Sequence, residues 1–181
     1  GLVAFDVFAQ RVVLTRPPPW PRSGPMVWGD HDDARAAFWL SQGPELRVRS
    51  LPTIKEGVMM AARENEVHPV RDYLTALTWD GTTRLGHWLC DFLGVEDTPY
   101  TRAVARFSII AMIARVMRPG CHCRAVLVLL GPQNIGKSKV VAALADPWGA
   151  DTPFRVSDKD TFQLIQGAWA YEISELDSFS R

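Results

Sequence analysis

Gly131, Gly136, Lys137 and Ser138 stand at the spacing Gly-x-x-x-x-Gly-Lys-Ser, filled here by Pro132, Gln133, Asn134 and Ile135. The chemistry this spacing serves is the cradling of a phosphate chain. Two glycines let the backbone curl until several N–H groups aim at one anion, and a helix starting at Lys137 adds the positive end of its dipole. Lys137 would neutralise the β- and γ-phosphates, and the Ser138 hydroxyl would ligate Mg²⁺. The apolar run 125–130 before the loop predicts a strand, and 137–145 after it predicts a helix, which is the context this motif requires. Residues 131–138 are therefore expected to bind Mg·ATP.

A phosphate loop needs an acidic partner to place metal and water. The apolar segment 168–174 predicts a strand, with Glu172 in it and Glu175 at its end. Ligands of an open α/β sheet collect outside the carboxyl ends of its strands, which favours Glu175 for the metal, shared with Ser138, and leaves Glu172 a secondary catalytic candidate beside Lys137. The bland reading of both carboxylates is an ordinary strand-end charge.

The remaining composition is that of a soluble globular chain. Of 181 residues, 47% are hydrophobic and 22% charged, enough apolar side chains for a substantial core. Lys and Arg total 20, as do Asp and Glu, so no global basic footprint announces nucleic acid. Any DNA contact must be local, at Arg102, Arg106, Arg115 and Arg118 or at Arg47 and Arg49; solvated helix faces are the favoured reading of these residues. Cys90, Cys121 and Cys123 are too few and uneven for a disulfide framework, and Cys121-His122-Cys123 lacks a second pair of ligands at zinc spacing. Reduced thiols are expected. The apolar stretch 103–117 is interrupted by Arg106 and Arg115, short of the roughly 18 uncharged residues of a membrane span. No signal peptide is visible, so a cytoplasmic chain without a membrane partner is expected.

The elements that must position the loop can be read in order. Residues 1–27 predict a hairpin, with strands at 2–7 and 11–14, and then a stiff proline-rich connector packed through Trp20. Residues 28–64 predict a small α+β module, with helix 32–41, a short strand 46–48 and helix 53–64, partly resembling a winged helix. Residues 65–123 predict a helical region. His68-Pro69 opens one helix through Leu77, Trp79-Asp80-Gly81 makes a turn, and Leu85, Trp88, Leu89 and Phe92 recur at helical spacing as core. Thr98-Pro99 caps a long helix ending at Arg118, with Phe107, Ile110, Ala114 and Met117 as its expected buried stripe. Residues 124–181 begin an α/β domain with a mainly parallel sheet, adding a short strand 154–156 and a helix 159–166 capped by Ser157.

His68-Pro69-Val70-Arg71-Asp72-Tyr73-Leu74, Trp79-Asp80-Gly81, Asp97-Thr98-Pro99-Tyr100-Thr101-Arg102-Ala103-Val104, Arg118-Pro119-Gly120-Cys121, the loop 131–138 and the segment 171–177 follow one another in an order and spacing that resembles the virulence-associated protein E family. The resemblance runs from about residue 65 to 177 and continues faintly upstream, at Trp28 and residues 30–33. Members of that family are similar to superfamily-3-type helicases and to the helicase parts of phage and mobile-element primase-helicases. The resemblance implies a P-loop NTPase fold, an ATP-driven motor for DNA unwinding in replication, a Walker A site at Gly131, Gly136, Lys137 and Ser138, and a Walker B carboxylate at Glu175. This sequence departs from the family pattern twice: Asn134 stands where glycine is usual, and Cys123 where an acidic residue is common. Asn accepts positive φ better than most residues, so the loop is expected to form.

The resulting expectation is a helicase ATPase part, with ATP between subunits of a homo-oligomeric ring, single-stranded or forked DNA as partner, and a primase fused to it or acting alongside. Because the sequence begins without methionine and stops soon after Glu175, a piece of a longer protein with an incomplete sheet, inactive alone, is expected. An ATP-dependent switch or small-molecule kinase is the alternative enzyme, and an inert partner-binding fragment the non-enzymatic one.

Overall fold

Leu2 to Leu14 alternates β-branched and apolar residues around a polar break, and this break makes the first turn. In the computed structural model, which describes residues 1–43, 48, 50–151, 163 and 165–173, β1 (Val3–Asp6) pairs antiparallel with β2 (Arg11–Leu14), Val3 opposite Leu14 and Asp6 opposite Arg11. The Asp6 carboxylate closes the turn by accepting the N–H groups of Phe8 at 2.9 Å and Ala9 at 3.0 Å. On its other edge β1 pairs in parallel with β3 (Glu66–Val67), giving a three-stranded sheet in the order β2-β1-β3.

Two helices cover this sheet's unit, residues 1–72. They are α1 (Asp30–Gln42) and α2 (Leu51–Arg63), the second started by a Ser50 cap and Pro52 in its first turn. Ala62 of α2 meets Val3, Phe5, Val12 and Leu14 in the core, with Trp28 and Val58 packed against them. The segment 15–26 contains no helix or strand, as its five prolines dictate, and Trp20 stands edge-on to Trp28 with 6.0 Å between rings. Arg47, Arg49 and all but Val48 of the strand expected over 46–48 lie outside the described residues.

The second unit spans residues 73–181. After α3 (Pro69–Ala76), which crosses from one unit to the other, come α4 (Trp88–Leu93), α5 (Pro99–Met117), α6 (Lys137–Ala145), β4 (Gly149–Ala150) and β5 (Ala170–Tyr171). Thr98 caps α5 by accepting the Thr101 N–H at 3.1 Å, and Pro99 holds its first position. The core joins Trp88, Leu89 and Ala105 to Leu127, Val140 and Leu144. A hydrogen bond of 2.9 Å from the Trp88 indole to the Ala105 carbonyl locks α4 to α5. The chain is thus mixed helix and strand, with small sheets.

Three expectations need correction. The stripe on α5 is not Phe107, Ile110 and Met117, which are exposed; the inward face holds Ala105 and Val116, with Val104, Ile109 and Met112 half-buried between them. This helix is apolar nearly all round, so spacing alone fits two faces, and the small Ala105 is what allows α4 to approach. Phe92 and Leu85 are likewise exposed, whereas Trp88 and Leu89 are core.

The third correction concerns residues 125–130. They run without helix or ladder, because no strand lies beside them to take their main-chain hydrogen bonds among the described residues. Val126, Val128 and Leu130 are 84%, 56% and 86% exposed, while Leu127 packs on the core. The alternation of a strand is present without its partner. The parallel pair described in this unit is instead β4 with β5, Gly149 opposite Ala170 and Ala150 opposite Tyr171. The strand over 154–156, the Ser157 cap and nearly all of helix 159–166 fall outside the described residues.

Candidate functional site

The loop 131–136 turns into α6 at Gly136, whose φ of 94° lies where only glycine is unstrained. Asn134 takes φ 63°, one of two non-glycine residues in this region among the described residues, so asparagine does adopt the left-handed conformation that glycine would otherwise supply. Gly131 has a different reason to lack a side chain. A Cβ there would stand 2.7 Å from the Ile135 Cδ1, which folds back across the loop.

Lys137 reaches back over the same turn. Its ammonium donates to the Gly131 and Pro132 carbonyls, each at 2.8 Å, so the charge sits at the centre of the curled backbone. Ser138, the next residue along α6, donates its hydroxyl proton to the Glu172 carboxylate at 2.6 Å. This contact joins residues 34 positions apart and links the acidic segment to the loop.

Glu172 owes its position to the short parallel pair. β5 ends at Tyr171, and the Glu172 N–H donates to the Ala150 carbonyl at 2.8 Å, so the carboxylate emerges just beyond the strand's carboxyl end. The expectation that Glu172 lies within the strand is thereby corrected, the ladder being two residues long. Glu175 lies outside the described residues, as does Ser174.

Aromatic side chains that belong to no motif hold this arrangement. Tyr73, Trp148 and Trp169 form a triangle with ring centroids 5.6, 6.3 and 6.4 Å apart. The Trp169 indole donates to the Met112 carbonyl of α5 at 2.9 Å, and its main-chain N–H donates to the Trp148 carbonyl at 2.7 Å. The richness of the segment in Trp was the available signal, since a buried indole demands an acceptor. A cleft of about 320 Å³ opens beside Ser138 and Glu172, lined also by Lys139, Asp146 and Asp151.

Other candidates are less concentrated. Arg102 is engaged, its guanidinium bidentate on Asp97 at 2.6 Å for both contacts, which holds the Asp97 carboxyl below the usual range. Arg106, Arg115 and Arg118 are exposed. Cys121 and Cys123 are exposed free thiols, and among the described residues no group of three or more His, Cys, Asp or Glu side chains is placed to hold a metal. Among those residues no helix is long and apolar enough to cross a membrane.

In this mixed helix-and-strand chain a Gly-x-x-x-x-Gly-Lys-Ser turn meets a strand-end carboxylate. Residues 74–181, more than half of the 181, match the virulence-associated protein E-like domain, and the chain belongs to that family. The family is associated with replication proteins of phages and mobile elements. A comparison with curated proteins yields no match.

Proposed function

We propose that residues 124–181 are the nucleotide-binding part of a P-loop ATPase that drives a DNA helicase of the primase-helicase type in phage or mobile-element replication. The observation carrying this reading is the Ser138–Glu172 hydrogen bond, which brings a carboxylate to the hydroxyl that a metal would share. The residues fit the group they would hold. The turn 131–136 offers main-chain N–H groups, Lys137 a cation, and Ser138 with Glu172 two oxygens of the hard type Mg²⁺ selects. Bound Mg·ATP would supply the phosphoanhydride and the charge neutralisation of its β- and γ-oxygens.

The chain's own part is then binding and orientation. Lys137 would exchange the Gly131 and Pro132 carbonyls for phosphate oxygens. Ser138 would turn its lone pairs to the metal while Glu172 accepts its proton and keeps it aimed. Glu175 remains the proposed residue for orienting the attacking water, with DNA and neighbouring subunits of a ring as proposed partners.

Titration of Mg·ATP into wild type, Lys137→Ala and Glu172→Gln tests the reading. Lys137→Ala should abolish binding, and Glu172→Gln should retain nucleotide binding while losing most of its dependence on Mg²⁺. Unchanged isotherms for Lys137→Ala would refute the phosphate role.

A further inference from the structure

Glu172 meets Ser138 for one register of β5 on β4 only. The ladder pairs Gly149 with Ala170 and Ala150 with Tyr171, and two pairs specify a register weakly. A slip of one residue would carry the carboxylate about 3.3 Å along the strand and turn it to the opposite face, away from the hydroxyl it accepts from at 2.6 Å. A contact outside the ladder must therefore select the register. β4 is placed by α6, the helix that carries Ser138: a Cβ on Gly149 would lie 3.6 Å from the Ala145 Cβ and 3.7 Å from the Ala142 Cα, so this strand rests directly on the helix.

β5 is placed from its other end. Trp169, the residue before it, is buried, and its indole N–H donates to the Met112 carbonyl at 2.9 Å while the Tyr73 and Trp148 rings flank it. A slipped ladder could re-form its main-chain bonds, but the indole would be left buried without its acceptor, so the penalty falls on this side chain. We propose that Trp169 is a positioning residue of the metal site, its indole pinning the register of β5 on Met112 and so setting Glu172 on Ser138. The proposal rests on the reading of Ser138 and Glu172 as the pair that holds Mg²⁺. Trp169 itself touches neither nucleotide nor metal; its effect passes through Glu172.

The test is the Mg²⁺ dependence of ATP binding, taken as the ratio of affinities in Mg²⁺ and in EDTA, for wild type, Trp169→Phe, Glu172→Gln and the double variant. Phenylalanine keeps a ring beside Tyr73 and Trp148 and removes the donor. Groups that orient a metal ligand directly contribute about tenfold or more to metal affinity; Trp169 acts from further back, and the ratio should fall by about three- to tenfold in Trp169→Phe. In the Glu172→Gln background the same substitution should change the ratio by less than about twofold, because the carboxylate it positions is already gone. Should Trp169→Phe fail to fold by circular dichroism, Trp169→benzothienylalanine, which exchanges the indole N–H for sulfur and keeps the shape, decides with the same expected values. An unchanged ratio, or an equal fall in both backgrounds, would overturn the positioning role and leave the metal reading intact. A wild-type ratio of one, or a ratio that Glu172→Gln leaves untouched, would overturn the metal reading and this proposal with it.

Discussion

Gly131 and Gly136 look interchangeable in a motif, yet their surroundings predict that alanine harms them for different reasons and to different degrees. At Gly131 the backbone is unstrained for any residue, and the added Cβ meets only the Ile135 side chain, Cδ1 at 2.7 Å and Cγ1 at 3.9 Å. Carbon atoms prefer about 3.5–4.0 Å, so Ile135 must move by close to an ångström, and it is free to do so because it is 60% exposed. Pushing its χ angles part-way off a rotamer costs about 0.5–1.5 kcal/mol, or roughly 2- to 12-fold in nucleotide affinity. At Gly136 the added Cβ meets nothing within 4 Å, but φ is +94°. An L-residue there costs about 1–2 kcal/mol, or roughly 5- to 30-fold, and no neighbouring side chain can relieve it. Titration with a fluorescent ATP analogue should therefore rank Gly131→Ala as the milder change. The decisive control is the Ile135→Ala background, where Gly131→Ala should shift affinity by less than twofold and Gly136→Ala should keep its full effect. A Gly131→Ala defect that persists without the Ile135 side chain would refute this account of the loop.

Two further predictions concern the N-terminal unit. Its stability should fall with acidification in two windows. Burial, with Arg71 nearby, lowers the His68 pKa from 6.5 despite the opposing carboxylates of Asp6 and Asp72. The unfolded chain then takes up the proton first, and stability present above pH 6.5 declines as the pH drops towards the folded value. For Asp32 burial pulls upward, but the Arg22 guanidinium and the Gly29 N–H prevail and hold it below 3.8, so its contribution is lost only as the pH falls below that value. Thermal melts of His68→Asn, which retains a capping side chain for the Arg71 N–H, should lose the upper window and keep the lower; a slope that persists just below pH 6.5 would exclude His68 as its source. Separately, Asp33→Ala strands the Trp28 indole N–H that now donates to it at 2.8 Å, and urea unfolding should register a loss of about 1–3 kcal/mol. A change under 0.5 kcal/mol would mean that the indole finds another acceptor.

What could be read from residues alone followed the strength of local signals. α6 begins at Lys137 and ends at Ala145, as the loop and the apolar run after it predict, because Gly136 fixes where a helix can start. Thr98-Pro99 likewise marks the start of α5. The inward face of α5 was not legible, since apolar residues surround it and only the partner helix selects Ala105 and Val116. Residues 125–130 have a strand's composition, but a strand is a relation between two segments and composition describes one. The same limit governed Glu172, whose place beyond β5 depends on how many residues pair with β4. The Trp169–Met112 tie joins residues 57 apart through a main-chain acceptor, which leaves no mark in sequence.

That tie has a mechanical side. Two residues separate Trp169 from Glu172, and the β5 they form is too short to hold the two side chains rigidly on its own. The acidic segment is therefore moored to the middle of α5, a nineteen-residue rod, through one indole. A rotation or slide of this rod would drag the carboxylate across the Ser138 hydroxyl. Force applied far away, at the exposed residues along the rod, would reach the oxygen atoms of the site as a change in their separation. The same lever runs backwards: a shift of the carboxylate pulls on Met112 and swings the ends of the rod, turning a displacement of atomic size into one that a neighbouring molecule can feel.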